Sequence, residues 1–404
     1  MKARQSQRLA YLASTLICVL TVPRAYADSE DTFNLNASYS LLTDSNVFRL
    51  SESAAAPSGS DTKSDQIRKS TLGLSIDKSY SLQRLIVNIN VADFRYSNFD
   101  YLSFSAVNYA ATWQWSLTPK VHGKLSTEKS TALNSYTDFQ NVNVRNLRTI
   151  SATSFDAEAE LAAAWRVTAS LEQSRQTNDV SVVQEGDVSL NGGSIGLRYV
   201  APSKSYLAYR VRRSSGDYFN RVANVSSAIP TSLDEFEQEL RTVWFATGKS
   251  VVTAKISHLS REHPGFAVRD YSGTVGSVTL DWGISGKLAL ATTLSRDLSP
   301  YQTDTSSYMV ADKISIAPLW KITAHTSLRA NYQYASQDYR GGLPGSTSTT
   351  ERHDNVRTVL VGMDWRPRET ISLSLSLQNT KRLSNTTGFD YKVNAATVAA
   401  QVSF

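Results

Sequence analysis

Alternation with a period of two runs along almost the whole chain, and no other feature restricts the fold as much. FNLNASYSL puts Phe33, Leu35, Ala37, Tyr39 and Leu41 on one face, with Asn34, Asn36, Ser38 and Ser40 on the other. ISLSLSLQ does the same with Ile371, Leu373, Leu375 and Leu377 against Ser372, Ser374, Ser376 and Gln378. The last twelve residues, VNAATVAAQVSF, alternate Val398, Ala400 and Val402 with Thr397, Ala399, Gln401 and Ser403, and stop on Phe404. A period of two is a strand whose faces meet different environments. Helical periodicity is nearly absent; even LDEFEQELRTVWF alternates Phe236, Gln238, Leu240, Thr242 and Trp244 with Glu235, Glu237, Glu239 and Arg241.

Two kinds of break separate the alternating runs. Short ones fall near SYSLQ (79–83), TPK (118–120), AAAW (162–165), APSK (201–204), TGKS (247–250), SGK (285–287), TAH (323–325) and RPRE (366–369). Between them lie longer segments rich in Ser, Thr, Asn, Asp and Gly, such as SESAAAPSGSDTKSD and RGGLPGSTSTTERHD. Eight short turns and nine long loops predict about eighteen strands, with both chain ends on the short-turn side. The expected fold is an all-β transmembrane antiparallel up-and-down barrel, with strand 1 too close to the start of the exported chain to leave room for a plug domain. A soluble propeller would need four strands in each interval of about 40 residues, where the pattern supplies two.

The first residues fit an exported protein. Lys2, Arg4 and Arg8 precede an apolar stretch from Leu9 to Val22, then Ala25-Tyr26-Ala27, the order of a secretory signal. The expected division is a signal peptide over 1–27 and a barrel over 28–404, in the outer membrane of a Gram-negative bacterium. The only cysteine, Cys18, falls in the signal, so disulfides and thiolate metal sites are not expected. Mean hydropathy is −0.29, compatible with apolar residues spread one in two. Part of the +6 net charge belongs to the signal, so no nucleic-acid footprint is indicated.

The tryptophans separate a membrane barrel from a soluble sheet. Trp113, Trp115, Trp165, Trp244, Trp282, Trp320 and Trp365 are each expected to sit within a few residues before a short turn. Threaded as a barrel, they share one height and form an aromatic girdle. Tyr101, Tyr218, Tyr271, Tyr301, Tyr308 and Tyr391 fall toward the long loops and are expected to make the opposite belt.

Motifs for chemistry are few. GGSIG (192–196) matches a nucleophile elbow around Ser194, but IGLRYV continues as a strand where a helix is required, so no enzyme is expected. His122, His258, His263, His325 and His353 lack metal-ligand spacing, and no cofactor is implied. Asn36-Ala37-Ser38 and Asn385-Thr386-Thr387 match a glycosylation pattern with no clear use in such a barrel. The informative polar residues are assigned to the lumen: Asp156, Glu158, Glu160, Arg198, Arg210, Arg212, Glu235, Glu237, Glu239 and Arg241. An Arg or Lys facing lipid at mid-membrane costs about 2–4 kcal/mol, so these charges point inward. They would contact substrate or form a static ion-pair network that stiffens the wall.

SYSLLTDSNVFRL, APLWKITAHTSLRANYQYASQDYRG and KRLSNTTGFDYKVNAATVAAQVSF resemble the exosortase-associated extracellular-polysaccharide transporters of EpsL type, within a wider outer-membrane β-barrel superfamily. That resemblance implies a part in exopolysaccharide export, with the polymer chain, periplasmic and inner-membrane synthesis proteins and membrane lipid as partners. It supplies no site motif. A general or nutrient-uptake porin, and an adhesin or scaffold using the long loops, fit the same barrel. Phe404, a terminal aromatic after an alternating strand, resembles the signal read by the barrel-assembly machinery.

Overall fold

The computed structural model describes residues 32–57, 59–137, 144–180, 186–303, 305–343 and 351–404. The signal peptide assigned to 1–27, with Cys18, lies outside the described residues. The strands are β1 (Phe33–Asp44), β2 (Asp65–Tyr80), β3 (Gln83–Tyr96), β4 (Phe104–Thr118), β5 (Val121–Leu133) and β6 (Leu147–Glu160). Then follow β7 (Trp165–Asn178), β8 (Val188–Val200), β9 (Tyr206–Asp217), β10 (Ser232–Thr247), β11 (Ser250–Glu262) and β12 (Tyr271–Gly283). The chain finishes with β13 (Leu288–Pro300), β14 (Tyr308–Lys321), β15 (Thr326–Arg340), β16 (His353–Arg368), β17 (Ile371–Ser384) and β18 (Tyr391–Ser403).

All belong to one 18-stranded sheet in which each strand pairs antiparallel with its neighbours in sequence, and β1 pairs with β18. Closure leaves no free edge. It extends to the last residue: the Phe404 N–H donates to the Leu35 carbonyl at 2.7 Å, and the Leu35 N–H donates back at 3.0 Å. The short turns fall where the sequence breaks placed them, and the longer loops occupy the other rim. Among the described residues there is no plug domain, and only two short 3-10 turns, Asp100–Leu102 and Ala267–Arg269, interrupt the loops.

The register sorts the faces. Directly opposed residues share a face, and the ladders carry the apolar set from strand to strand, as in Val361↔Leu377↔Ala396 and Trp113↔Leu125↔Phe155↔Leu171. These side chains point outward and are exposed: Leu377 56%, Val398 57% and Leu171 64%. In a soluble protein so continuous an apolar surface would be a liability; around a barrel it is the lipid-facing band. Gln238 falls in that band, where its Oε1 accepts from the Tyr209 hydroxyl at 2.9 Å, so these two outward polar groups satisfy each other.

All seven tryptophans lie on the outward face near the short-turn rim. Trp165 opens β7 just after its turn, and Trp115 lies flat on Phe155 with centroids 5.5 Å apart. Of the tyrosines expected to form a belt at the other rim, Tyr101 is exposed, but most of the others are not available to lipid. Tyr218, Tyr271 and Tyr391 are buried, Tyr271 stacks on Tyr308, and Tyr301 packs on Tyr339. Tyr271 and Tyr391 open β12 and β18 in inward register, and the loops folded over the mouth cover them. The outward tyrosines of the upper wall are Tyr109, Tyr332 and Tyr334.

Candidate functional site: the charged lumen wall

The inward face varies around the barrel, with ion pairs at Arg84–Asp77, Lys313–Asp297 and Arg329–Asp364 standing apart from two distinct arcs. Around β17, β18 and β1 it presents hydroxyls and amides: Ser374, Ser376, Gln378, Thr397, Gln401, Ser38 and Asn36. From β5 to β11 it presents charge. On β10, Glu235, Glu237 and Glu239 alternate with the outward Phe236, Gln238 and Leu240, and the ladders set Glu237 against Arg212, Glu239 against Arg210 and Glu235 against Arg261.

The ion pairs follow from that register. Arg210 reaches Glu239 at 2.9 Å, and Lys255 reaches Glu239 at 3.2 Å and Glu237 at 3.5 Å. Arg241 meets Glu239 at 3.1 Å. Arg212 bridges three carboxylates, Glu172 at 2.8 Å, Glu235 at 3.3 Å and Glu237 at 3.4 Å, while Arg261 grips Glu235 through Nε at 2.9 Å. A second knot forms on β6 to β8, where Glu158 takes Arg198 at 2.6 Å and Arg166 at 3.5 Å. Asp156 pairs with Lys124 at 3.7 Å, and Glu160 stands opposite Arg166 in the ladder.

Every residue expected in the lumen therefore lies on this face. Glu172, Lys255, Arg166, Lys124 and Arg261 belong to the same network and were not singled out from sequence. For Lys255 and Arg261 the signal was present, because AKISHLSRE places them two residues before and four residues after Ser257, in phase with it.

Burial within the network is uneven. The side chains of Glu235, Glu237 and Glu239 are 4–8% accessible, whereas those of Arg198, Arg210, Arg212, Arg241 and Lys255 are 25–45% accessible. The three β10 carboxylates thus lie against the wall beneath these cations, whereas Glu172 and Asp156 stand as open as the cations and Arg261 is nearly as buried as Glu235. The network borders a recess of about 690 Å³ lined by Gln114, Lys124, Asp156, Thr168, Ser194, Arg198, Arg210, Glu239 and Arg241. The glycines of GGSIG serve this packing. A Cβ at Gly192 would stand 2.9 Å from Glu172 Oε1, and one at Gly196 would stand 2.8 Å from Thr168 Oγ1. Ser194 hydrogen-bonds Ser170 at 2.7 Å within the sheet, and no helix follows it.

At the outer mouth, inward side chains draw the loops over the lumen. Val47, Phe48, Phe99, Leu102 and Tyr136, from three different loops, form one buried apolar cluster. Arg382 on β17 donates to the carbonyls of Phe389 at 2.6 Å and Thr137 at 2.7 Å, tying the β5–β6 loop to the far wall. Arg269 donates to the carbonyls of Thr303, Ser306 and Ala228 at 2.7–3.0 Å.

His263 is buried in the same layer. Arg221 donates to Gln302 Oε1 at 2.6 Å, which turns the Gln302 amide nitrogen toward His263 Nε2 at 3.2 Å. That nitrogen must accept, so the ring proton sits on Nδ1, 3.5 Å from Asp270. Burial, then the positive charge of Arg261, pushes the imidazole down to about 4, against the opposing pull of Asp270. Between pH 6.5 and about 4 the unfolded chain binds the proton that the folded loop refuses, so stability in this layer falls as pH falls. Protease resistance of the β11–β12 loop should decline across that window, and His263→Gln should flatten the decline.

Among the described residues, no group of histidine and carboxylate side chains could hold a metal ion. Residues 254–404 match the family model described as "Putative beta-barrel porin 2". No curated relative matches the sequence. In fold the chain is similar to the outer-membrane protein OpdK of Pseudomonas aeruginosa, with 9% identity, TM-score 0.53, and 93% of this chain and 99% of that one covered. A BenF-like porin of Pseudomonas fluorescens aligns with 8% identity, TM-score 0.53, and 92% and 98% covered. OpdF of Pseudomonas aeruginosa, solved in complex with glucuronate, aligns with 11% identity, TM-score 0.51, and 92% and 96% covered. A closed eighteen-strand wall with an apolar exterior, a tryptophan girdle and a charged interior is the architecture of an outer-membrane β-barrel, the fold that these structures share.

Proposed function

We propose that this barrel is a passive uptake channel for small polar solutes and that its lumen favours organic anions. The observation carrying this reading is the layering of charge on β10: partly exposed guanidinium and ammonium groups of Arg210, Arg212, Arg241 and Lys255 stand over the buried Glu235, Glu237 and Glu239, and Arg198 stands likewise over the half-buried Glu158. A carboxylate passing that layer meets planar donors suited to it, while the hydroxyl and amide arc opposite can exchange hydrogen bonds with the rest of the solute. OpdF was solved with glucuronate and OpdK with vanillate, both small carboxylates, which agrees with the charge layer. Exopolysaccharide export, implied by the sequence resemblance, draws no support from the family match or the similar structures, and the porin reading is preferred.

Proteoliposomes test it. Vesicles carrying the folded barrel should admit glucuronate faster than a neutral sugar of equal size and exclude large dextrans. Vesicles that admit no solute would overturn the channel, and a preference for cations would overturn the anion-favouring layer.

In the same reading Phe404 is the assembly signal, since it closes the β1–β18 ladder beside Leu35. Deleting Phe404 should slow outer-membrane assembly severalfold and leave protease-sensitive chain in the periplasm, measured by pulse-chase. Assembly at the wild-type rate would remove that role.

A further inference from the structure

On the outward face, β16, β17 and β18 carry Arg357, Lys381 and Lys392 directly opposite one another. Like charges in register destabilise a ladder, and three adjacent strands span only about 10 Å. All three side chains are exposed, and among the described residues none has a carboxylate within ion-pair distance. Elsewhere on the outward face, three cations have such partners. Arg296 is held by Asp312 at 2.5 Å, Arg95 by Asp93 at 2.8 Å and Arg340 by Asp338 at 3.2 Å. Among the described residues Arg68, Lys78, Lys129, Arg175 and Arg213 have none, but of these only Arg68 has a cation opposite it, Arg95, which Asp93 holds.

The height of the row is fixed by the girdle. Leu373 pairs with Trp365, and Lys381 lies eight residues further along β17. At about 3.3 Å per residue and a tilt near 40°, that is roughly 20 Å above the tryptophans, close to the top of a band about 25 Å tall. The outward side chains change there: Leu373, Leu375 and Leu377 give way to Asn379 and Lys381, and Val398 and Ala396 to Asn394 and Lys392. Asn379 donates to Asn394 at 2.7 Å just below the cations, and the Tyr334 hydroxyl donates to Asn355 at 2.6 Å beside Arg357.

We propose that Arg357, Lys381 and Lys392 form a binding site for the phosphate groups of a phosphorylated glycolipid in the outer leaflet. Its acyl chains would lie along the apolar strip of β16 to β18, and its phosphates would sit among the three cations. A phosphate bridging the row removes the repulsion that the protein leaves uncompensated and gains charge-assisted hydrogen bonds.

The test uses the full barrel in a neutral detergent and follows thermal unfolding with added diphosphorylated lipid A, dephosphorylated lipid A or inorganic phosphate. Diphosphorylated lipid A should raise the transition by several degrees, and the other two should not. The triple variant Arg357→Gln/Lys381→Gln/Lys392→Gln should be at least as stable as wild type without lipid, because its repulsion is gone, and should lose the lipid-dependent rise. Arg296→Gln, which removes a paired outward cation, should keep that rise. An equal rise in the triple variant would overturn the site. An equal rise with dephosphorylated lipid would overturn phosphate recognition, and one with inorganic phosphate would overturn a lipid as its source. The readout does not depend on conductance, so this proposal can fail while the channel stands, and the reverse.

Discussion

Replacing Glu235, Glu237 and Glu239 together with Gln will make the lumen strongly anion-selective. These three carboxylates touch Arg210, Arg212, Arg241, Lys255 and Arg261, and the amides keep their shape while removing three negative charges from the buried layer. An uncompensated charge about 4 Å from a permeating ion is worth about 1 kcal/mol even at the dielectric of water, or roughly fivefold in relative permeability. The reversal potential in a salt gradient should move toward that of chloride by an amount corresponding to at least that ratio. The same change should lower barrel stability by a few kcal/mol, because breaking a buried pair leaves its partner charge without compensation. A stable variant with unchanged reversal potential would mean that the ions do not pass this wall.

The second large effect concerns two neighbouring residues on opposite faces. Leu377 points outward midway between the tryptophan girdle and Lys381, opposite Val361 and Ala396, while Gln378 points inward. Leu377→Arg should cost about 2–4 kcal/mol, the depth-dependent cost of a cation in the hydrocarbon. Gln378→Arg, one residue later, should cost well under 1 kcal/mol in an aqueous lumen. Equilibrium unfolding in lipid vesicles measures both. Equal costs would contradict the assignment of faces.

Much of this wall was legible in the sequence because its determinant is local. A period of two fixes strand and face together, and the eight short breaks counted the strands to the right total. The charges of Glu235, Glu237 and Glu239 could be placed inward from their apolar alternates alone. Their partners could not, since Arg198 reaches Glu158 across β7, and Arg212 reaches Glu172 across β8, only once the register between strands is set. The outer mouth was not legible at all. Tyr218, Tyr271 and Tyr391 carry the composition of an interfacial belt, but the loops fold inward around Arg269 and Arg382 and bury the rings. A single arginine in a loop has no periodicity to report where its five donors will find carbonyls. Likewise, Arg357, Lys381 and Lys392 read as three scattered surface cations until the ladders set them side by side.

Because the expected signal peptide holds the only cysteine, single-cysteine variants can report which side of the wall conducts. Ser194 faces the recess beneath Arg198, and Ile195 faces outward at 64% exposure. With Ser194→Cys in a planar bilayer, a negatively charged thiol reagent should react from the aqueous phase and change the conductance stepwise, whereas Ile195→Cys should show no change. A response at residue 195 and none at 194, or no ionic current from either folded variant, would contradict a water-filled lumen lined by the charged wall.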